Sequence, residues 1–227
     1  MAVILPIMTG IACLISFWLM LKDADNQKQE LETSGESELV SDSELPRAAY
    51  IYSAVCVVLT VVIAAYFPKL YPDNSVWVNV KRMCLLSVMW PLAYIDFRTL
   101  RIPNLFVIYG LICRGVILAF EFLLGNQYLW QTLLSEAIAA AGLLLAAVLC
   151  ILLVKNGIGF GDMKLFIVMG LMLGLEGIWG AMFLSLIASF FIALFAMAIK
   201  KKTRKDVIPF GPALVIGTYL SICLSGM

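Results

Sequence analysis

Asp96 and Asp162 have both the residue type and the local sequence to do chemistry in this chain. Asp96 ends an apolar run and is followed by Phe97-Arg98-Thr99-Leu100-Arg101-Ile102-Pro103-Asn104, where Pro103 with Asn104 predicts a helix break and the start of another helix. Asp162 closes Asn156-Gly157-Ile158-Gly159-Phe160-Gly161-Asp162. Each of its three alternating glycines costs about 1 kcal/mol relative to alanine in a helix, so loosely wound backbone is expected there. Two carboxylates brought together cannot both ionise readily and share a proton, so one can serve as base while the other serves as acid. The first would take a proton from a water attacking a peptide carbonyl; the second would polarise that carbonyl and help the amine leave. Gly159 and Gly161 would let an extended substrate backbone approach such a pair.

Other chemistries are removed by composition. There is no histidine, which excludes Ser-His-Asp and Cys-His catalysis and imidazole metal sites. Cys13, Cys56, Cys84, Cys113, Cys150 and Cys223 lie singly in apolar runs, so they read as small buried hydrophobes and not as a disulfide framework or a zinc site. No metal and no cofactor is therefore expected. The formal net charge of +1 gives no steering toward nucleic acid, and the glycine run has no strand or lysine signature for binding a nucleotide.

The elements that must position the aspartates are membrane helices. The chain is 63% hydrophobic and 14% charged, too little polar surface to coat a soluble domain of 227 residues. An all-α polytopic fold of about eight transmembrane helices is expected, with broken-helix segments at the two aspartates. The runs are Ala2–Leu21, Ala48–Phe67, Met83–Ile95, Leu105–Leu124, Leu133–Val154, Lys164–Leu175, Trp179–Ile199 and Val207–Gly226; the third and sixth are short and should extend through their aspartates. Lys200-Lys201-Lys202-Thr203-Arg204-Lys205 sets the cytoplasmic side, and counting back with eight crossings puts both aspartates there. Residues 1–21 then form a first span and 22–47 an acidic cytoplasmic linker or short polar helix, with eight acidic and three basic residues. Residues 48–227 form the membrane domain carrying the aspartates. No positive charge precedes the first run, so it reads as a retained span and not a cleaved signal.

Further charges fall in or near spans. Arg114 and Glu121, seven apart, share one helical face and could pair across a neighbouring helix, or Arg114 could cap an interior carboxylate. Glu136 and Glu176 are expected to reach headgroups and water at span ends. The residues alone leave a second reading open, a proton- or cation-coupled carrier using Asp96 and Asp162 without cleaving anything.

Three motifs in order carry a resemblance: Asp96 followed by Ile102-Pro103-Asn104; Gly159-Phe160-Gly161-Asp162 with Lys164; and Pro209-Phe210-Gly211-Pro212. From about residue 83 onward the chain resembles the type IV prepilin peptidase family, the G-x-G-D intramembrane aspartic proteases. The resemblance implies that Asp96 and Asp162 are catalytic, with no cofactor. It implies prepilin or pseudopilin substrates of a pilus or type II-like secretion system, cut at the cytoplasmic face of the bacterial inner membrane, with membrane lipid around the protein. Gly159, Gly161, Lys164, Arg98 and Arg101 are then expected to bind substrate or support the pair. Bifunctional members carry paired C-x-x-C motifs for zinc in the segment after the first span and are associated with N-methylation; residues 22–47 here contain no cysteine. A peptidase-only member is expected.

Overall fold

The computed structural model describes residues 4–34, 47–153, 159–198 and 209–225. These form seven α-helices and no strand: α1 (Ile4–Ser34), α2 (Arg47–Leu70), α3 (Val76–Thr99), α4 (Asn104–Leu123), α5 (Leu129–Leu153), α6 (Phe160–Ala198) and α7 (Gly211–Ser225). Five of them, α1, α2, α4, α5 and α6, are long and apolar enough to cross a membrane. The protein is a membrane protein.

The exception among the long helices is α3, which carries Asn79, Lys81, Arg82, Asp96 and Arg98. It is the innermost helix. Leu85, Leu86, Val88, Met89, Trp90 and Leu92 are all fully buried, and α1, α2, α4, α6 and α7 pack around it. The arrangement follows from solvation: a helix with charged residues near both of its ends is shielded by neighbours that can show apolar faces to lipid. Ile51, Val55 and Val58 of α2 and Phe183, Phe190 and Phe191 of α6 are such exposed apolar side chains. Cross-helix polar contacts fix the packing. Tyr52 Oη donates to the Trp90 carbonyl at 3.0 Å, and the Thr60 and Tyr219 hydroxyls meet at 2.6 Å.

The eight expected runs fall on these seven helices because two of them share α6. Its 39 residues would make a rod of about 58 Å, nearly twice a bilayer core. Gly174 interrupts it, with φ 66° and ψ −174°. Before this point Gly170 touches Ala140 of α5; after it Gly180 touches Ser221 and Gly217 touches Ser185. The second limb therefore runs antiparallel to α7, back toward the end where α6 began. Glu176, just past the reversal, is exposed as expected.

At the end of the bundle remote from Asp96 lies a buried ion cluster. Arg114 Nη1 meets Glu121 at 3.1 Å and Arg114 Nη2 meets Glu136 at 2.6 Å. Lys81 Nζ meets Glu136 at 2.6 Å and Glu121 at 3.8 Å. Arg114 pairs with Glu121 directly within α4 and reaches Glu136 on the neighbouring α5. The expectation for Glu136 is corrected: only 2% exposed, it is buried and doubly paired and does not reach for water. Lys81 and Arg82, which immediately precede the third apolar run, are likewise buried in α3. The cysteines are all free thiols; Cys13 is buried, whereas Cys150 and Cys223 are exposed on the apolar surface, contrary to the uniform burial expected.

The first span continues without a break into the acidic segment, since α1 runs to Ser34. Residues 35–46 of that segment, together with Lys155, Gly157 and the basic run 200–205, lie outside the described residues, and Arg47 opens α2.

Candidate active site

Asp96 sits one turn before the end of α3 and is 6% exposed. The helix ends at Leu100, which adopts the left-handed conformation (φ 52°, ψ 34°) and donates its N–H to the Asp96 carbonyl at 2.9 Å. A non-glycine residue held there costs about 1–3 kcal/mol, so surrounding packing must fix the turn. Ile102 supplies that packing. It is buried, and its Cβ lies 3.0 Å from where a side chain on Gly161 would begin. Pro103 then caps the start of α4 with extended backbone. The break foreseen at Pro103-Asn104 is present, and it places the α3–α4 turn directly on the glycine preceding Asp162.

Asp162 occupies the first turn of α6. Its carboxylate takes a backbone hydrogen bond from Gly159 and lies close enough to Asp96 for the two charges to interact. A Cβ on Gly159 would lie 3.4 Å from Asp162 Oδ2.

The third wall is the start of α7. The Phe210 ring packs edge-on against Phe166 of α6 at 6.3 Å between centroids. This seats Gly211 over α3, where its N–H donates to Asp96 Oδ2 at 2.7 Å. A Cβ on Gly211 would fall 2.8 Å from that oxygen. Both carboxylates therefore face main-chain N–H groups at the beginning of a helix, donors that have no partner within their own helix and that favour negative charge.

The structure brings Asp96, Asp162, Gly159 and Gly161 together. The expected cations behave otherwise. Lys164 is exposed and donates to Asn104 Oδ1 at 2.7 Å, joining the starts of α6 and α4. Arg101 is half exposed and pairs with Asp23 of α1 at 3.5 Å. Arg98 is exposed on the last turn of α3. Two residues at this end escape a reading of the sequence alone. Gly211 lies in Pro209-Phe210-Gly211-Pro212, whose helix-entry geometry explains the prolines and gives no sign of a donor to Asp96. Asp23 falls in an acidic stretch that reads as solvated, although it continues the spacing of Ser16, Leu19 and Met20, all buried.

Among known proteins, the type IV leader peptidase family matches residues 83–197, just over half of the chain. The chain belongs to this family. The matched span of this leader peptidase family member holds Asp96, Gly159, Gly161 and Asp162, while Gly211 and Asp23 lie outside it. A protein of Bacillus subtilis (strain 168) described as a prepilin leader peptidase/N-methyltransferase is 30% identical over 136 residues. Those residues are 60% of this chain and 52% of the relative, so the match spans about half of the relative's length. No solved structure matches the chain.

Proposed function

We propose that the protein is an aspartic endopeptidase that removes the leader of prepilin-like or pseudopilin substrates at the cytoplasmic membrane face. The observation that carries this reading is that Asp96 and Asp162 lie close enough for their charges to interact, each beside a glycine backbone N–H. A proton shared across such a pair leaves one carboxylate to activate water and the other to polarise the scissile carbonyl, and their roles reverse when the amine leaves. The substrate class is supported by family membership and by the prepilin leader peptidase activity named for the Bacillus relative. The cytoplasmic placement is supported by Arg98, Arg101 and Lys164, which share the aspartates' end of the bundle, under the rule that short loops rich in Lys and Arg stay inside. Residues 22–47 lack cysteine, which supports peptidase activity without the methyl transfer named for the relative.

The test is cleavage of a prepilin from the same genome, co-reconstituted with wild type, Asp96→Asn or Asp162→Asn and read by mass spectrometry. Loss of an N-terminal leader with wild type alone is the expected result. An intact substrate beside folded wild type, with proton or cation flux that depends on the two aspartates, would overturn it in favour of a carrier. A methyl group added to the new N-terminus would overturn the peptidase-only assignment.

A further inference from the structure

We propose that Asp23, on the polar extension of α1, is a positioning residue for the Asp96–Asp162 pair, acting through Arg101 and the α3–α4 turn. The proposal rests on the peptidase reading above for its functional consequence, and on geometry for the brace itself. Asp23 lies upstream of the family-matched span, in a stretch whose composition suggests only a solvated linker. Its neighbours Lys22 and Asp25 are exposed, but Asp23 is 8% exposed. It continues the buried stripe of Ser16, Leu19 and Met20 at three- and four-residue spacing, so the face that packs α1 on the bundle carries a carboxylate at its polar end.

What that carboxylate meets is Arg101, at 3.5 Å. Asp23 is the fixed member, because its side chain is 11% exposed against 49% for the guanidinium. Arg101 lies between the two residues that shape the turn. Leu100 is held left-handed with its N–H on the Asp96 carbonyl, and Ile102 presses on the glycine beside Asp162. A four-residue connection holding an unfavourable backbone conformation needs outside support, and Asp23 gives it from a third helix. The same turn touches both aspartates' local backbone, so a shift of Arg101 moves one relative to the other. Fixing two reacting groups in register acts on the chemical step more than on substrate binding.

The experiment uses the full chain in lipid vesicles with two readouts, hydrogen exchange over residues 97–104 and leader cleavage. Asp23→Asn is expected to speed exchange in that segment about fivefold, the upper range for loss of one part-exposed ion pair, while exchange in α5 stays unchanged. It is expected to lower kcat by a similar factor with KM constant within about twofold. Asp23→Arg should have the larger effect, and combining it with Arg101→Asp should restore both readouts, as should the conservative Asp23→Glu. Unchanged exchange at 97–104 in Asp23→Asn, or a charge swap no better than Asp23→Arg alone, would overturn the brace. If either Arg substitution fails to fold, the Asn and Glu variants decide. Exchange that responds as expected while wild type cleaves no substrate would sink the peptidase reading and leave the brace standing. Normal cleavage with unresponsive exchange would do the reverse.

Discussion

Replacing Gly211 with alanine tests whether a backbone N–H sets the geometry of Asp96. The added Cβ would lie 2.8 Å from Asp96 Oδ2, 2.9 Å from its Cβ and 3.1 Å from its Cγ. Asp96 is 6% exposed and one turn from the end of α3, so its side chain has little room to retreat. Either the carboxylate rotates or the start of α7 lifts, and both break the 2.7 Å hydrogen bond. A hydrogen bond to a charged group is worth about 1.5–3 kcal/mol, which corresponds to about 10- to 150-fold in rate if the bond is made in the transition state. Folding should change little, because position 211 opens α7 and alanine is a good helix former. The assay is kcat/KM for leader cleavage in proteoliposomes beside thermal unfolding in detergent. Two controls calibrate it. Gly142→Ala meets nothing within 4 Å and should leave both quantities unchanged. Gly217→Ala would drive its Cβ into the backbone of Ser185 and should lower stability first. A Gly211→Ala enzyme that cleaves within about threefold of wild type would refute the reasoning, since the lost bond is expected to cost more than that.

Three further outcomes follow from the geometry. Asp96→Asn and Asp162→Asn should each abolish cleavage while the protein inserts and elutes as wild type, as measured by mass spectrometry and size-exclusion chromatography; residual turnover in either would remove that residue from the chemistry. Gly174→Ala places a side chain at φ 66° and 3.1 Å from Ser135 Oγ, which accepts the Leu175 N–H, and should lower stability by about 1–3 kcal/mol by thermal unfolding. Lys81→Met strips a cation from two buried glutamates and should lower stability by about 3–5 kcal/mol, whereas replacing Lys81, Arg114, Glu121 and Glu136 together by apolar residues of similar volume should recover most of the loss.

How much of this the sequence discloses depends on how local the cause is. The helix break at Pro103-Asn104 and the reversal beside Glu176 depend on residues within a turn of one another, so pattern alone finds them. Arg114 and Glu121 share a face by spacing, and their pairing was legible for that reason. Glu136 was not. It lies near a span end, where a carboxylate ordinarily reaches water, and only the packing of α5 on the other helices puts Lys81 and Arg114 around it. Gly211 shows the same limit at the active site. Its role requires knowing that α7 begins over the end of α3, 115 residues away in sequence. Asp23 is an intermediate case. Its spacing from Leu19 and Met20 is plain in the sequence, but that this face of α1 is the buried one is known only from the packing, and the surrounding acidic residues read as solvated.

The two aspartates are gripped in a way that explains the glycines at 159, 161 and 211 beside them. A side-chain donor brings rotatable bonds and, if cationic, a charge that would hold a nearby carboxylate ionised and oppose the shared proton. A main-chain N–H has no rotatable side chain and carries only a partial charge, so it favours the ionised form less than a cation would, but it reaches a carboxylate closely only where no Cβ stands in the way. Gly211 and Gly159 meet that condition, and Gly161 allows the α3–α4 turn to close over the same place. The precision of the pair is therefore set by where three helix ends lie: the end of α3, the start of α6 and the start of α7. Those positions depend on the bundle as a whole. Lys81 is fifteen residues from Asp96, about 22 Å along α3, and it ties that helix to α4 and α5 at the far end. With α3 fixed there by charge and near Asp96 by the Gly211 N–H and the Asp23–Arg101 brace, the helix has little freedom to tilt. Both sets of contacts constrain one quantity, the separation of two carboxylates.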